Sequence, residues 1–198
     1  MYLPDSAAPD RAHGDVVVSD TADGLHAIGA AHVALAIWAR PTLPIVASLD
    51  LDAVDDLSFV LPFADDGDPA LLADAHLVAG GYPSAAAATI GVDIAALAGL
   101  HRRIADATAI TVRLDVIEGD ACRRFHADYV SLRMLCTYWG AGTQWCRTAT
   151  PQTVHDLPTG TIGIFKGRLA MEAPTILHRS PPSHTGCDPR LLLVLDPA

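Results

Sequence analysis

The residues most able to do chemistry sit in Phe125-His126-Ala127-Asp128. In a strand, positions i and i+2 point to the same face, so His126 and Asp128 would project together. An imidazole beside a carboxylate makes two-thirds of a facial metal site. Two histidines and one carboxylate on one face of an octahedron leave three positions open, the arrangement a non-haem Fe(II) centre needs. The third ligand should come from a later strand. His178 closes the apolar run Ile176-Leu177, 50 residues after Asp128. His184 is its rival, in a Pro/Ser/Thr/Gly stretch that reads as a loop. Arg190 opens the last apolar run; a guanidinium there suits the carboxylate of a small diacid, and equally suits a strand-edge charge. Cys122 stands four residues before His126. With His126, Asp128 and His178 it would complete a four-ligand Zn(II) set; otherwise it is a small buried apolar side chain. Arg133 would point either inward beside the metal or outward to an acidic surface. Tyr129, Tyr138, Trp139 and Trp145 would gather at the mouth, as packing or as a substrate platform.

These groups must be carried by a scaffold. From about Ala109 onward the pattern is strands and turns: Ile110–Ile117 alternates apolar with polar residues, followed by Arg124–Asp128, Leu132–Tyr138, Thr161–Phe165, Thr175–His178 and Leu191–Leu195. Gly140-Ala141-Gly142 makes a turn. Before Ala109, Val16–Val18 and Val33–Trp38 read as strands and Leu43–Leu57 as a short helix followed by Phe59–Phe63; Pro69–Val78 and Ser84–Asp106 read as helices. His101, Arg102 and Arg103 suit a solvated helix C-terminus, and His155-Asp156 a surface loop. The expected class is α+β, with an N-terminal helical or mixed segment packed on a C-terminal double-stranded β-helix, a cupin-like jelly-roll barrel. The expected divisions are a flexible 1–14, a mixed segment 15–108 and a metal-binding region 109–198, together forming one compact domain.

Composition narrows the function. The 198 residues carry 13 Lys+Arg against 23 Asp+Glu, a net charge of −10. That surface repels nucleic-acid backbones and anionic lipid, so neither nucleic acid nor membrane is an expected partner. The longest weakly charged stretch, Ser84–Leu100, reads as too short and too polar for a membrane span. Met1–Asp10 has no signal-peptide pattern, and the expected location is the cytoplasm. The four cysteines form no C-x-x-C pair and read as thiols or ligands. Phosphate-loop, nucleophile-elbow, H-E-x-x-H and G-x-G-x-x-G patterns are missing from their required contexts.

Two resemblances follow. The order His126-Ala127-Asp128, Leu132–Tyr138, Gly140–Gly142, Pro158-Thr159-Gly160, Ile164-Phe165, His178 and Arg190 resembles the Fe(II)/2-oxoglutarate dioxygenases, especially the prolyl-hydroxylase-like group. It implies Fe(II) on His126, Asp128 and His178, and 2-oxoglutarate bound by Arg190 with Tyr138. Cys122–Val130, Thr137–Trp145, His178–Pro182 and Arg190–Pro197 together resemble family eighteen twenty-six of the bacterial domains of unknown function. That likeness implies a shared fold and a link to zinc supply. Three functions are therefore open: an Fe(II)/2-oxoglutarate-dependent oxygenase acting on a small-molecule or protein substrate, a cupin-like Zn(II)-binding protein of zinc homeostasis without redox chemistry, and a metal-free protein whose acid and imidazoles form a hydrogen-bonded core.

Overall fold

The alternation in Ala109–Ile117 (β4) sets the architecture. Ile110, Val112 and Leu114 are fully buried, while Thr111, Arg113 and Asp115 between them are half-exposed. One face therefore seals against a core and the other looks onto open space. The computed structural model describes residues 14–63, 67–119, 122–182 and 189–198. In chain order the other strands are Val16–Ser19 (β1), Leu35–Trp38 (β2), Leu57–Pro62 (β3), Leu132–Trp139 (β5), Gln144–Arg147 (β6), Thr150–Asp156 (β7), Ile162–Lys166 (β8), Ile176–Arg179 (β9) and Arg190–Pro197 (β10). The helices are Pro69–Ala79 (α1) and Ser84–Ala105 (α2), with short 3₁₀ turns at Ala22–Gly29, Pro44–Ser48 and Leu51–Ala53.

Seven strands form one sheet in the order β1-β2-β8-β5-β10-β4-β3, and three form a second, β7-β6-β9. Only β1 and β2 pair in parallel among these. Each face of the large sheet has its own core. Met134, Ile164, Leu191, Leu193 and Leu195 pack with Leu77, Ile90, Ile94 and Leu97 of the helices. The alternate residues Leu35, Leu135, Phe165 and Val194 pack with Trp145 and Ile176 of the small sheet. The molecule is thus three layers, helices on sheet on sheet. Burying side chains such as Ile94 and Leu97 stabilises the fold by about 1.5–3 kcal/mol each.

The two helices lie where their breakers put them. Pro69 stands in the first turn of α1, capped by the Asp68 carboxylate, and Gly81 at φ +84° carries the chain out. Asp106 ends α2 in the left-handed conformation. With 22 residues, α2 is long and apolar enough to cross a membrane, the only such helix among the described residues; half of its most apolar window is buried against α1 and the sheet. Its bounds match the helix expected at Ser84–Asp106; what changes is the expectation that Ser84–Leu100 is too short and too polar to span, by length and composition only.

Other expectations also change. Leu43–Leu57 holds two 3₁₀ turns in place of one helix. The first half supplies strands β1, β2 and β3 to the same sheet as the second half, so it is not a helical body laid against a separate barrel. His101 is fully buried, since it continues the Ile94/Leu97 stripe of α2 by one turn. Burial pushes its pKa down to about 4, against smaller opposing pulls from Asp196 and the Leu132 backbone. His155 lies in β7 and stacks on Trp145 with ring centroids 4.2 Å apart. Cys122, Cys136 and Cys146 are free thiols. The expectations for residues 1–14 (apart from Gly14), His184 and Cys187 fall outside the described residues.

Candidate metal centre

His126 lies in the connection between β4 and β5, and His178 lies in β9. A single antiparallel bridge joins them: His126 N–H donates to the His178 carbonyl at 3.0 Å, and His178 N–H to that of His126 at 2.9 Å. This pairing brings the two imidazoles to a centroid distance of 4.7 Å. The expected strand Arg124–Asp128 is reduced to that one bridged residue. Beyond it, the turn after β8 captures the backbone instead: Arg168 N–H donates to the Asp128 carbonyl, Leu169 N–H to Val130 and Gly167 N–H to Ser131. A β-carbon on Gly167 would collide with the Val130 carbonyl oxygen, so only glycine lets the turn come this close.

The three predicted ligands converge. Among the described residues, one donor atom from each of His126, Asp128 and His178 lies within 4.8 Å of the others. His178 Nε2 is 3.0 Å from Asp128 Oδ2, and His126 Nε2 is 3.6 Å from Asp128 Oδ1. Adjacent donors on an octahedral ion with bonds near 2.1 Å sit about 3 Å apart, so the set fits a cation with little movement. The carbonyl of Arg124 can only accept, so at 2.8 Å it fixes the proton of His126 on Nδ1 and leaves Nε2 for the site. His178 is buried beside Phe165.

Electrostatics agree. Burial alone would raise the Asp128 carboxyl, but the two imidazoles and the Arg133 charge outweigh it and hold the group well below the usual carboxylate range. Contact with Asp128 raises His126, whereas burial lowers His178. Asp128 Oδ2 is buried, with Arg133 Nη1 at ion-pair distance, 2.8 Å, and His178 Nε2 at 3.0 Å.

The site opens onto a cavity of about 270 Å³. Its walls include Leu135, Leu192 and Val194 of the large sheet, Arg113 and Asp115 of β4 in the same sheet, and Cys122, Thr143 and Ser180. Arg190 is buried behind them. It donates to the Ala141 carbonyl, to Ser180 Oγ at 3.0 Å, to Thr137 Oγ1 at 3.3 Å and to Thr143 Oγ1 at 3.4 Å. All these acceptors are neutral, and burial lowers its pKa to about 10. It does not itself line the cavity; Ser180 and Thr143 do.

Two proposed roles need correction. Tyr138 faces the helical layer, where its hydroxyl donates to Asp93 Oδ2 at 2.6 Å and Asp93 pairs with Arg40. Its neighbour Thr137 points toward Arg190 instead, because successive strand residues face opposite ways. Cys122 lines the cavity, but its thiol is not among the converging donors. The expected aromatic cluster also dissolves: Tyr129 and Trp139 are exposed, and Trp145 is buried between the sheets. The sequence reading missed Thr137, Thr143 and Ser180 around Arg190, and Asp115 on the wall. For Asp115 the signal was present, since it lies on the polar side of the β4 alternation. Arg133 is settled inward, beside Asp128.

A family model described as "Protein of unknown function (DUF1826)" matches residues 19–196. No curated protein matches the sequence. Among solved structures, the rice dioxygenase for auxin oxidation is similar at 12% identity over 91% of this chain and 81% of its own, with a TM-score of 0.52. A full-length Neurospora crassa protein in complex with alpha-KG is similar at 12% identity over 92% and 83%, with a TM-score of 0.50. A 2-oxoglutarate complex of the Arabidopsis thaliana dioxygenase for auxin oxidation is 15% identical over 79% of this chain; the chain spans 65% of that protein, with a TM-score of 0.49. At these identities the likeness is one of fold: a mixed α/β chain with a large, mostly antiparallel sheet, similar to that of 2-oxoglutarate oxygenases.

Proposed function

This chain belongs to the DUF1826 family, and we propose that it is a non-haem Fe(II)/2-oxoglutarate-dependent oxygenase. The observation that carries the reading is the convergence of His126, Asp128 and His178, from separate parts of the chain, on the wall of one cavity. The fold is read more finely as a double-stranded β-helix, with β4-β10-β5-β8 as one sheet and the His126 bridge-β9-β6-β7 as the other. In that arrangement both ends of the ligand set belong to the smaller sheet and its flank, facing the larger one.

Each residue then has a task. His126, Asp128 and His178 would hold the metal. Fe(II) with 2-oxoglutarate and O₂ supplies the oxidising power to hydroxylate a C–H bond. Arg190 supplies the positive charge for the distal carboxylate of 2-oxoglutarate, with the Ser180 and Thr143 hydroxyls presented toward the cavity. Leu135, Leu192 and Val194 exclude water from the slot between the two ends. Zinc without redox chemistry is the second reading; it would draw on Cys122, which lines the cavity, but that thiol stands outside the converging set.

The test is oxygen uptake by protein purified without a histidine tag and loaded anaerobically with Fe(II). Uptake should depend on 2-oxoglutarate, with succinate formed, and should vanish in Asp128→Ala. Tight stoichiometric zinc with no response to 2-oxoglutarate would overturn the proposal.

A further inference from the structure

We propose that Arg133, braced by Asp196, is the positioning residue that sets the Asp128 carboxylate against the two imidazoles. The inference rests on the metal-binding reading and goes beyond it. The need arises because Asp128 lies in an irregular segment. The Arg168 N–H holds its backbone carbonyl, but nothing in the backbone fixes the rotation of its side chain. Arg133 reaches it from β5. Its Nε donates to Asp196 Oδ1 at 2.8 Å and its Nη2 to Asp196 Oδ2 at 2.6 Å, a two-point pair with β10. The remaining corner, Nη1, lies 2.8 Å from Asp128 Oδ2. The three side chains are each 17% exposed, so solvent weakens the clamp little. A guanidinium is planar and rigid; once two nitrogens are pinned, the third has one place to be. Asp196 matters for a second reason. An unpaired cation this close to a ligand oxygen would repel a metal ion, and pairing with Asp196 neutralises it.

Position and charge predict opposite signs. If Arg133 acts only through its charge, removing it should tighten metal binding. If it positions Asp128, removing it should weaken binding, by the ~10- to 100-fold typical when a partner behind a metal ligand is lost. The experiment titrates Co(II) into the metal-free full-length protein and follows its visible absorption, with a thermal melt in parallel. Arg133→Met should bind Co(II) about 10- to 100-fold more weakly with an altered spectrum. Arg133→Lys keeps the charge but not the fork, and should recover only part of the loss. Single removal leaves Asp196 without its arginine and lowers the melt, so Arg133→Met/Asp196→Asn is included; it removes both charges of the pair and should still bind weakly. Affinity and spectrum unchanged or tighter in the double variant, whatever its melt, would overturn the clamp alone. A parent protein that takes up no Co(II) would overturn the metal reading and the clamp with it.

Discussion

Two buried bases illustrate how single residues carry testable consequences. Arg190 has no acid partner among the described residues, only hydroxyls and a carbonyl. Under the proposed function, the distal carboxylate would meet the Ser180 and Thr143 hydroxyls that Arg190 holds, with its charge behind them; a charge-assisted contact is worth about 1.5–3 kcal/mol. Arg190→Ala should therefore weaken 2-oxoglutarate binding by about 10- to 100-fold in isothermal titration, while metal affinity stays within about threefold. Loss of both together would reduce Arg190 to a structural role. His101 works through pH. Its pKa falls from 6.5 to about 4 on folding, so the unfolded chain binds the extra proton between those values. Its contribution is complete above about pH 6.5 and is lost as pH falls toward 4. Melts of His101→Leu against the parent should show a flatter loss of stability across that window; parallel curves would mean that His101 is not neutral in the fold. The sequence showed His101 beside Arg102 and Arg103 and so suggested solvent. The stripe Ile94–Leu97–His101 was equally visible and is the better guide, because burial follows the helical face and not the chain neighbours.

At the level of elements, the site depends on two turns pressed against it. Gly167→Ala would drive a β-carbon into the Val130 carbonyl and crowd that of Asp128, displacing the turn that donates to Asp128. The expected outcome is a lower melting temperature together with weaker Co(II) uptake; an unchanged titration would show that the turn does not govern the carboxylate. Gly140, at φ +80°, lies under Arg190, with the Pro189 carbonyl 2.6 Å from where a β-carbon would sit. Strands β4, β5, β8, β9 and β10 were legible because apolar runs or alternation mark them. The strands β6 and β7 were not: Thr150–Asp156 is exposed along nearly its whole length and carries Pro151, so no apolar period announces it. Tyr138 was misassigned for a related reason. β5 is buried on both faces, and a strand with two apolar faces does not reveal which one meets the cavity. The His-x-Asp pair converges with His178 as its spacing suggested, but not on a strand backbone: one bridge to His178 and a clasp from the 167–169 turn do what a full strand was expected to do.

Across the whole molecule, the layers divide the labour. The helices seal one face of the large sheet, and the small sheet leaves room on the other for a cavity. The chain as a whole carries a net charge of −10, and the charges on the cavity wall are largely paired, Arg113 with Asp115 and Arg133 with Asp128 and Asp196, while Arg190, behind the wall, has no acid partner among the described residues. The most direct test of the account is anomalous diffraction at the iron edge from crystals loaded anaerobically with Fe(II). The account predicts a single peak within bonding distance, about 2.0–2.2 Å, of a nitrogen of His126, an oxygen of Asp128 and a nitrogen of His178. Iron bound elsewhere, or none between these three side chains, would contradict it.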